Sequence, residues 1–296
     1  MKLKEIRTLA VIGAGTMGRQ IAMQAALSGG FLPGSIFLCS RSGPSSRKAE
    51  NWADAYLQGR VKKKRLTVEQ AHRAWSCLVF EDSMDRAVPR ADLVIESIPE
   101  DFNAKAQCFS RVSALARPDA ILATNSSNIL SSRLVGAVRN PERLLNLHFL
   151  NPALVMELVE IMGNEHTSET TLQSVSQFAE QIGKRPILLR KEIPGFVSNR
   201  INAAITHEAC QLVEQGIATV EEVDLACEKG LNFPMGPFRL MDLVGIDVHY
   251  QIRKDRFEQS GDPFDAPSPL VLAKVERGEF GRKTGKGWYD YTQSEN

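Results

Sequence analysis

The stretch NLHFLNPALVMELVEIMG, residues 146–163, sets one histidine, His148, and two glutamates among apolar neighbours. Twelve residues separate His148 from Glu160. A titratable side chain in apolar surroundings is costly unless it is paired. Two strands folded back on each other would bring these two within hydrogen-bond reach. An imidazole takes or gives a proton near neutral pH, and a carboxylate at its far nitrogen orients the ring and stabilises the imidazolium. The pair therefore reads either as an acid–base dyad or as a structural pair that satisfies itself, a common outcome for buried charges. His72, His166, His207 and His249 lie in helical or loop contexts without a comparable partner.

A second pattern with chemical consequences lies near the start, in TLAVIGAGTMGRQIAMQAALSGG. Gly13, Gly15 and Gly18 follow the spacing G-x-G-x-x-G. The first glycine permits a tight turn, the second admits a pyrophosphate to the backbone, and the third lets helix and strand pack closely. A short apolar strand, residues 8–12, precedes them, and a helix with Met17, Ile21 and Ala25 on one face follows and stops at Gly29-Gly30. In that context the pattern points to a dinucleotide rather than a plain glycine-rich turn. Gly13, Gly15, Thr16, Met17 and Gly18 are assigned to cofactor contact.

The next strand, SIFLCS, ends Cys39-Ser40-Arg41, with Arg47 and Lys48 just beyond. It lacks the acid that would hold the adenosine ribose hydroxyls. A serine and an arginine fork would receive a 2′-phosphate that an acid would repel. Ser40 and Arg41 therefore favour NADP(H) over NAD(H), although polar and basic residues are common after any strand.

These residues need elements to position them. Short apolar runs at 77–80, 92–97 and 120–125 end in polar residues, and helical stretches such as 101–116 separate them. Strands alternating with helices imply a parallel sheet covered on both faces. RLLNLHFL and ALVMELVEI are only a few residues apart around Asn151-Pro152 and are expected to pair antiparallel and extend that sheet. After RPILLR, residues 185–190, the pattern becomes helical, with a turn at Pro194-Gly195. Phe196, Ile201, Ala204, Ile205, Ala209, Leu212 and Val213 fit one amphipathic helix, and Thr219-x-x-Glu222 reads as a capping box before another that stops near Gly230. The expected fold is α/β: an N-terminal Rossmann-type doubly wound sheet, residues 1–190, with a C-terminal all-helical domain, residues 191–296.

Composition narrows the partners. The chain has 296 residues, 43% hydrophobic and 24% charged, with a net charge of +1, so no global field points to nucleic acid. Five cysteines, 39, 77, 108, 210 and 227, form no C-x-x-C, which reads as reduced thiols rather than a disulfide framework or a zinc site; no metal is expected. The first apolar stretch is too short for a signal peptide and no apolar run suits a membrane span, so the expected residence is cytoplasmic.

VIGAGTMG, ESIPED, TNSSN, LHFLNPALVMELVEI, PGFVSNR, FPMGPFRLMDLVGID and FGRKTGKGWYDY occur in that order over nearly the whole chain. This set resembles the L-3-hydroxyacyl-CoA dehydrogenases, including the bacterial 3-hydroxybutyryl-CoA dehydrogenases. HFLNP stands where the family usually has HFFNP, the ribose acid is missing, and the link SGGFLPGS is longer than usual. The resemblance implies oxidation of the 3-hydroxyl of an acyl-CoA, or the reverse, and a C-terminal domain that serves substrate and builds a homodimer. It makes His148 the general base, oriented by Glu160. It places Ser127 at the substrate hydroxyl and near the nicotinamide, Asn151 as a polarising group, and Asn199 as the asparagine that closes on the same site. It gives Glu100, Lys105 and Lys283 to the cofactor, and Lys63, in the run KKKR at 62–65, to the phosphates of coenzyme A.

Each residue also has a plainer reading. Ser127 competes with Ser126, Ser131 and Ser132 for a helix cap. Asn151 is a turn residue before Pro152, and Asn199 suits a helix start. Glu100 and Lys105 read as a solvated helix pair, and the basic run as a solvated helix face. Two other functions compete: a dehydrogenase of free hydroxy acids like the gulonate dehydrogenases related to lens crystallin, whose histidine motif reads more like HPVNP, and a non-catalytic dinucleotide-binding structural or sensor protein.

Overall fold

Four-residue apolar runs with both faces buried build the centre of the molecule. In a computed structural model, residues 3–292 are described; residues 1–2 and 293–296, the outer ends of the two expected domains, lie outside them. The chain runs β1 (Leu9–Ile12), α1 (Thr16–Leu27), β2 (Ile36–Cys39), α2 (Gly43–Lys62), α3 (Val68–Cys77), β3 (Leu78–Glu81), α4 (Met84–Ala87), β4 (Leu93–Glu96), α5 (Phe102–Leu115) and β5 (Ile121–Thr124). Then follow β6 (Leu144–Phe149), β7 (Leu158–Gly163), α6 (Glu169–Gln181) and β8 (Arg185–Leu189). The helices α7 (Phe196–Glu214), α8 (Val220–Leu225), α9 (Pro237–Val244), α10 (Ile246–Ser260) and α11 (Pro269–Glu276) complete it.

Among the described residues, eight strands form one sheet in the order β3-β2-β1-β4-β5-β6-β7-β8. All neighbours are parallel except β6 and β7. Strand order reverses between β1 and β4, and in such sheets the carboxyl ends of the strands at that point form a ligand crevice. β1, β2, β4 and β5 are buried throughout, as a sheet covered on both faces requires. One core cluster holds Leu9, Val11, Ile21, Leu38 and Phe178; the other holds Ala10, Ile12, Phe37, Phe109 and Val112. The alternation of these names along β1 and β2 is the strand period of two.

The chain divides into two compact units, residues 3–196 and 197–292 as described. The sequence puts the change of character after residue 190, yet residues 191–196 stay with the sheet. Glu192 Oε1 accepts from the Ser131 hydroxyl at 3.1 Å and the Ser132 N–H at 3.0 Å, and the Gly195 N–H donates to the Ser127 carbonyl at 3.1 Å. In the helical unit, the Thr219–Glu222 capping box opens α8, which passes through a π-helical turn to Gly230. Two buried acids tie its C-terminal strand-like segment down. Asp224 accepts from the Tyr289 hydroxyl at 2.8 Å, and Asp242 from the Trp288 and Tyr289 N–H groups at 2.9 and 3.0 Å.

All five cysteines are free thiols, and burial pushes Cys39 and Cys108 up to about 12, far from a reactive thiolate. Among the described residues, no helix is long and apolar enough to cross a membrane, and no His/Cys/Asp/Glu group could hold a metal ion.

Candidate active site

The antiparallel register of β6 and β7 sets His148 directly opposite Glu160. Side chains directly opposite on one face approach closely, and His148 Nδ1 lies 2.9 Å from Glu160 Oε2. Both are buried, His148 at 4% exposure and Glu160 at 0%. A carboxylate can only accept, so Nδ1 carries the hydrogen, and in the neutral ring Nε2 keeps its lone pair. That lone pair faces the Ser127 hydroxyl at 3.1 Å. Ser127 lies in the loop that leaves β5 at the carboxyl edge of the sheet. Ser126 takes the capping work instead, accepting from the Ile129 N–H at 2.7 Å. The plainer reading of Ser127 as a cap therefore fails, and its hydroxyl is left to the histidine.

The loop between β6 and β7 carries Asn151, which is exposed. Three contacts hold that loop. Lys184, 6% exposed, donates to the carbonyls of Ala153 and Met156 at 2.6 and 2.9 Å, and the Leu154 N–H donates to Gln20 Oε1 at 3.4 Å. Burial lowers the proton affinity of Lys184. Asn125 fixes the other side, accepting from the Phe149 N–H at 2.9 Å.

The glycine turn fits a dinucleotide. A Cβ on Gly18 would stand 1.8 Å from the Gly13 carbonyl oxygen, and one on Gly13, whose φ is +108°, would stand 2.5 Å from the Ser97 carbonyl oxygen. A Cβ on Gly15 would meet nothing within 4 Å. Two glycines thus serve backbone packing and the middle one opens on free space, as close approach by a pyrophosphate requires. Gly15 caps α1 without a side-chain bond, and no acid stands in the first turn of α1, where Thr16 and Met17 lie. The free N–H groups and the positive end of the helix dipole suit an anion.

Beyond β2, Ser40 donates from its hydroxyl to the Ser42 carbonyl at 3.1 Å, and Arg41 is exposed. The nearby acid, Glu81 on β3, is held by Arg86 at 2.6 Å. No acid occupies the first turn of α2 either.

Glu100 and Lys105 do pair, but only Glu100 is exposed and it lies before α5, so the solvated helix pair that their spacing predicts does not extend to Lys105. Lys105 is 1% exposed, and its ammonium donates to Glu96 Oε1 at 2.7 Å and the Ile98 carbonyl at 3.2 Å, with Glu100 Oε2 at 3.3 Å. The correction has a simple cause: α5 packs this face against the end of β4, where Glu96 points inward at 0% exposure. Glu96 also accepts from the Thr124 hydroxyl at 2.6 Å and the Ile98 N–H at 2.7 Å. Glu100 accepts from the Ser126 hydroxyl and, at 3.2 Å, from the Asn128 N–H. A polar network therefore runs from β4 and α5 to the loop that carries Ser127. Glu96 was missed from the sequence, although a lone acid closing the apolar run LVIE is its signal.

Asn199 and Lys283 belong to the helical unit. Asn199 lies on α7, and Lys283 pairs with Asp247 of α10 at 2.6 Å. Lys63 is the exposed C-cap residue of α2. Phe196 departs from the amphipathic face expected of it. It has φ +54°, is fully buried, and stacks on the His148 ring at 4.5 Å between centroids.

Residues 8–193 match the family model of the 3-hydroxyacyl-CoA dehydrogenase NAD-binding domain, and residues 195–291 match that of the 3-hydroxyacyl-CoA dehydrogenase C-terminal domain. A 3-hydroxybutyryl-CoA dehydrogenase of Bradyrhizobium diazoefficiens is 35% identical over 286 residues, 97% of this chain and 96% of that protein. The mitochondrial hydroxyacyl-coenzyme A dehydrogenase of Sus scrofa is 33% identical over 292 residues, 97% of this chain and 91% of that protein. Among solved structures, Mycobacterium tuberculosis FadB2 matches with a TM-score of 0.89 at 34% identity, covering 98% of this chain and 100% of that one. With a glycine turn at the mouth of a parallel sheet and the two domain models matched in succession over residues 8–193 and 195–291, the chain belongs to the 3-hydroxyacyl-CoA dehydrogenase family.

Proposed function

We propose that the protein interconverts an L-3-hydroxyacyl-CoA of short chain, such as 3-hydroxybutyryl-CoA, and the matching 3-ketoacyl-CoA, using NADP(H) in preference to NAD(H). The observation that carries this reading is the imidazole of His148, set between Glu160 at Nδ1 and Ser127 at Nε2. The bound nicotinamide supplies the hydride acceptor in the oxidative direction and the donor in the reverse. His148 Nε2 takes the proton of the C3 hydroxyl as the C3–H electron pair leaves, and Glu160 holds the imidazolium that results. In the reductive direction the same nitrogen returns the proton to the forming hydroxyl. The Ser127 hydroxyl orients the substrate oxygen, and Asn151 and Asn199 polarise the carbonyl. The glycine turn with Thr16 and Met17 holds the pyrophosphate; Glu100, Lys105 and Lys283 position the cofactor; Lys63 meets the coenzyme A phosphates. The helical unit carries the homodimer contact, for which its exposed apolar residues Leu243, Val244, Val248 and Ile252 are suited.

Acetoacetyl-CoA is expected to oxidise NADPH faster than NADH at equal concentrations, read as loss of reduced-nicotinamide absorbance. Turnover of free hydroxy acids or their keto forms with none of acetoacetyl-CoA would move the protein to the hydroxy-acid dehydrogenases, and no turnover of either to a non-catalytic role. Ser40→Asp places an acid where a 2′-phosphate would sit and is expected to shift the kcat/KM ratio toward NADH. An unchanged ratio would mean that the end of β2 does not select the cofactor.

Glu160→Gln is expected to lower kcat by about tenfold or more while leaving cofactor affinity unchanged, because an amide cannot balance the charge of the imidazolium. A variant with wild-type kcat and pH–rate profile would reduce the pair to a packing feature.

A further inference from the structure

The turn Pro194-Gly195-Phe196 touches both side chains that handle the proton. The buried Phe196 ring lies over the His148 imidazole, with centroids 4.5 Å apart and planes 21° from parallel. The Gly195 N–H holds the carbonyl of Ser127, whose hydroxyl faces His148 Nε2 at 3.1 Å. Phe196 also sits at φ +54°, a left-handed backbone that bulky residues avoid. Such strain persists where surrounding contacts over-determine it, and it clusters at functional sites. Here those contacts are visible: Glu192 is bound by Ser131 and Ser132, the Ile193 N–H reaches Met162 Sδ at 3.2 Å, and the Phe196 N–H closes onto the Ile193 carbonyl at 3.3 Å. A core position alone would accept a phenylalanine in relaxed backbone.

We propose that Phe196 is a positioning residue for proton transfer: its ring face fixes the imidazole plane, with Nε2 aimed at the substrate oxygen. The face of an aromatic ring is electron-rich and attracts a stacked cation. The charged group placed against the imidazole is Glu160 of β7; the loop after β5 contributes Ser127, and the turn contributes Phe196, both uncharged. Carboxylate and ring therefore hold the imidazole from two directions, one at the edge and one at the face. The inference rests on the dyad reading above.

Phe196→Leu keeps an apolar cover and the same backbone demand but removes the ring face; Phe196→Tyr keeps the face. In proton NMR of the free protein, the His148 ring signals, assigned by their loss in His148→Gln, are expected to lie upfield through the ring current of Phe196. Phe196→Tyr retains that shift and Phe196→Leu loses it. In the oxidative assay, Phe196→Leu is expected to lower kcat about tenfold with KM for the cofactor unchanged. Phe196→Tyr stays near wild type. Equal loss in both variants, or wild-type kcat in Phe196→Leu, would overturn the role. Phe196→Met replaces the leucine variant should that one not fold. A wild-type protein inactive on every hydroxyacyl-CoA would sink the proposed function alone; the ring-current shift in the two variants would still decide whether the Phe196 ring holds the imidazole.

Discussion

His148→Gln is expected to lower kcat by about 10²- to 10⁴-fold, the contribution of a positioned general base, while cofactor affinity and the folded state persist. A glutamine at this position can still donate an N–H toward Glu160, so the buried carboxylate keeps a partner. The strand pairing that sets residue 148 opposite residue 160 is made by backbone groups and survives the change. The variant nonetheless has no lone pair able to hold the hydroxyl proton at neutral pH. With only water to take it, and a site 4% exposed at this residue, proton removal becomes the slow step. Stopped-flow measurement of a single turnover reads chemistry directly, circular dichroism checks the fold, and quenching of protein fluorescence by the reduced cofactor checks the glycine turn. A folded variant that binds cofactor and turns over within a few-fold of wild type would show that the proton leaves by another route.

Lys105→Met is expected to destabilise the sheet unit by about 3–5 kcal/mol, the usual result of removing one partner of a buried ion pair. Glu96 has no exposure to water and Lys105 has 1%, so neither charge can recover hydration when the other goes. Methionine fills most of the lysine volume, which separates the charge effect from a cavity. The Thr124 hydroxyl and the Ile98 N–H would still bond to Glu96, but nothing would balance its charge. Removing the acid as well, in Glu96→Leu with Lys105→Met, is expected to recover much of the loss, because an apolar replacement of a whole buried pair is often close to neutral. Urea unfolding of the wild type, both single variants and the double variant closes the cycle. Additive losses would mean that the two side chains do not act as a pair. The same network reaches Ser126 and Asn128 through Glu100, so the lysine variant should also loosen the loop that carries Ser127.

Much of this architecture was legible in one dimension because the signals are local or periodic. Apolar runs of four residues between helices read as buried strands, as β1, β2, β4 and β5 are, and G-x-G-x-x-G between a strand and a helix leaves little choice of turn. Proximity of His148 and Glu160 was legible too, since a short link between two apolar strands enforces an antiparallel register and places residues of one face opposite each other. The helical second half followed from its 3.6-residue periodicity and the Thr219–Glu222 cap.

What escaped that reading is burial set by partners distant along the chain. Glu100 and Lys105 are spaced like a surface pair, and their neighbours in sequence do not show that α5 turns the lysine onto Glu96, nine positions earlier, at the base of the crevice. Phe196 repeats like a member of a helix face, but its backbone turns left-handed and its ring goes to an imidazole on a strand 48 positions earlier. Lys184 looks like any basic residue after a helix until its ammonium is found on two carbonyls of the loop bearing Asn151. Residue type and period prescribe elements and the order in which they are strung. Which polar atoms lose water, and whose charge or lone pair must answer them, depends on side chains that meet only after the sheet has closed.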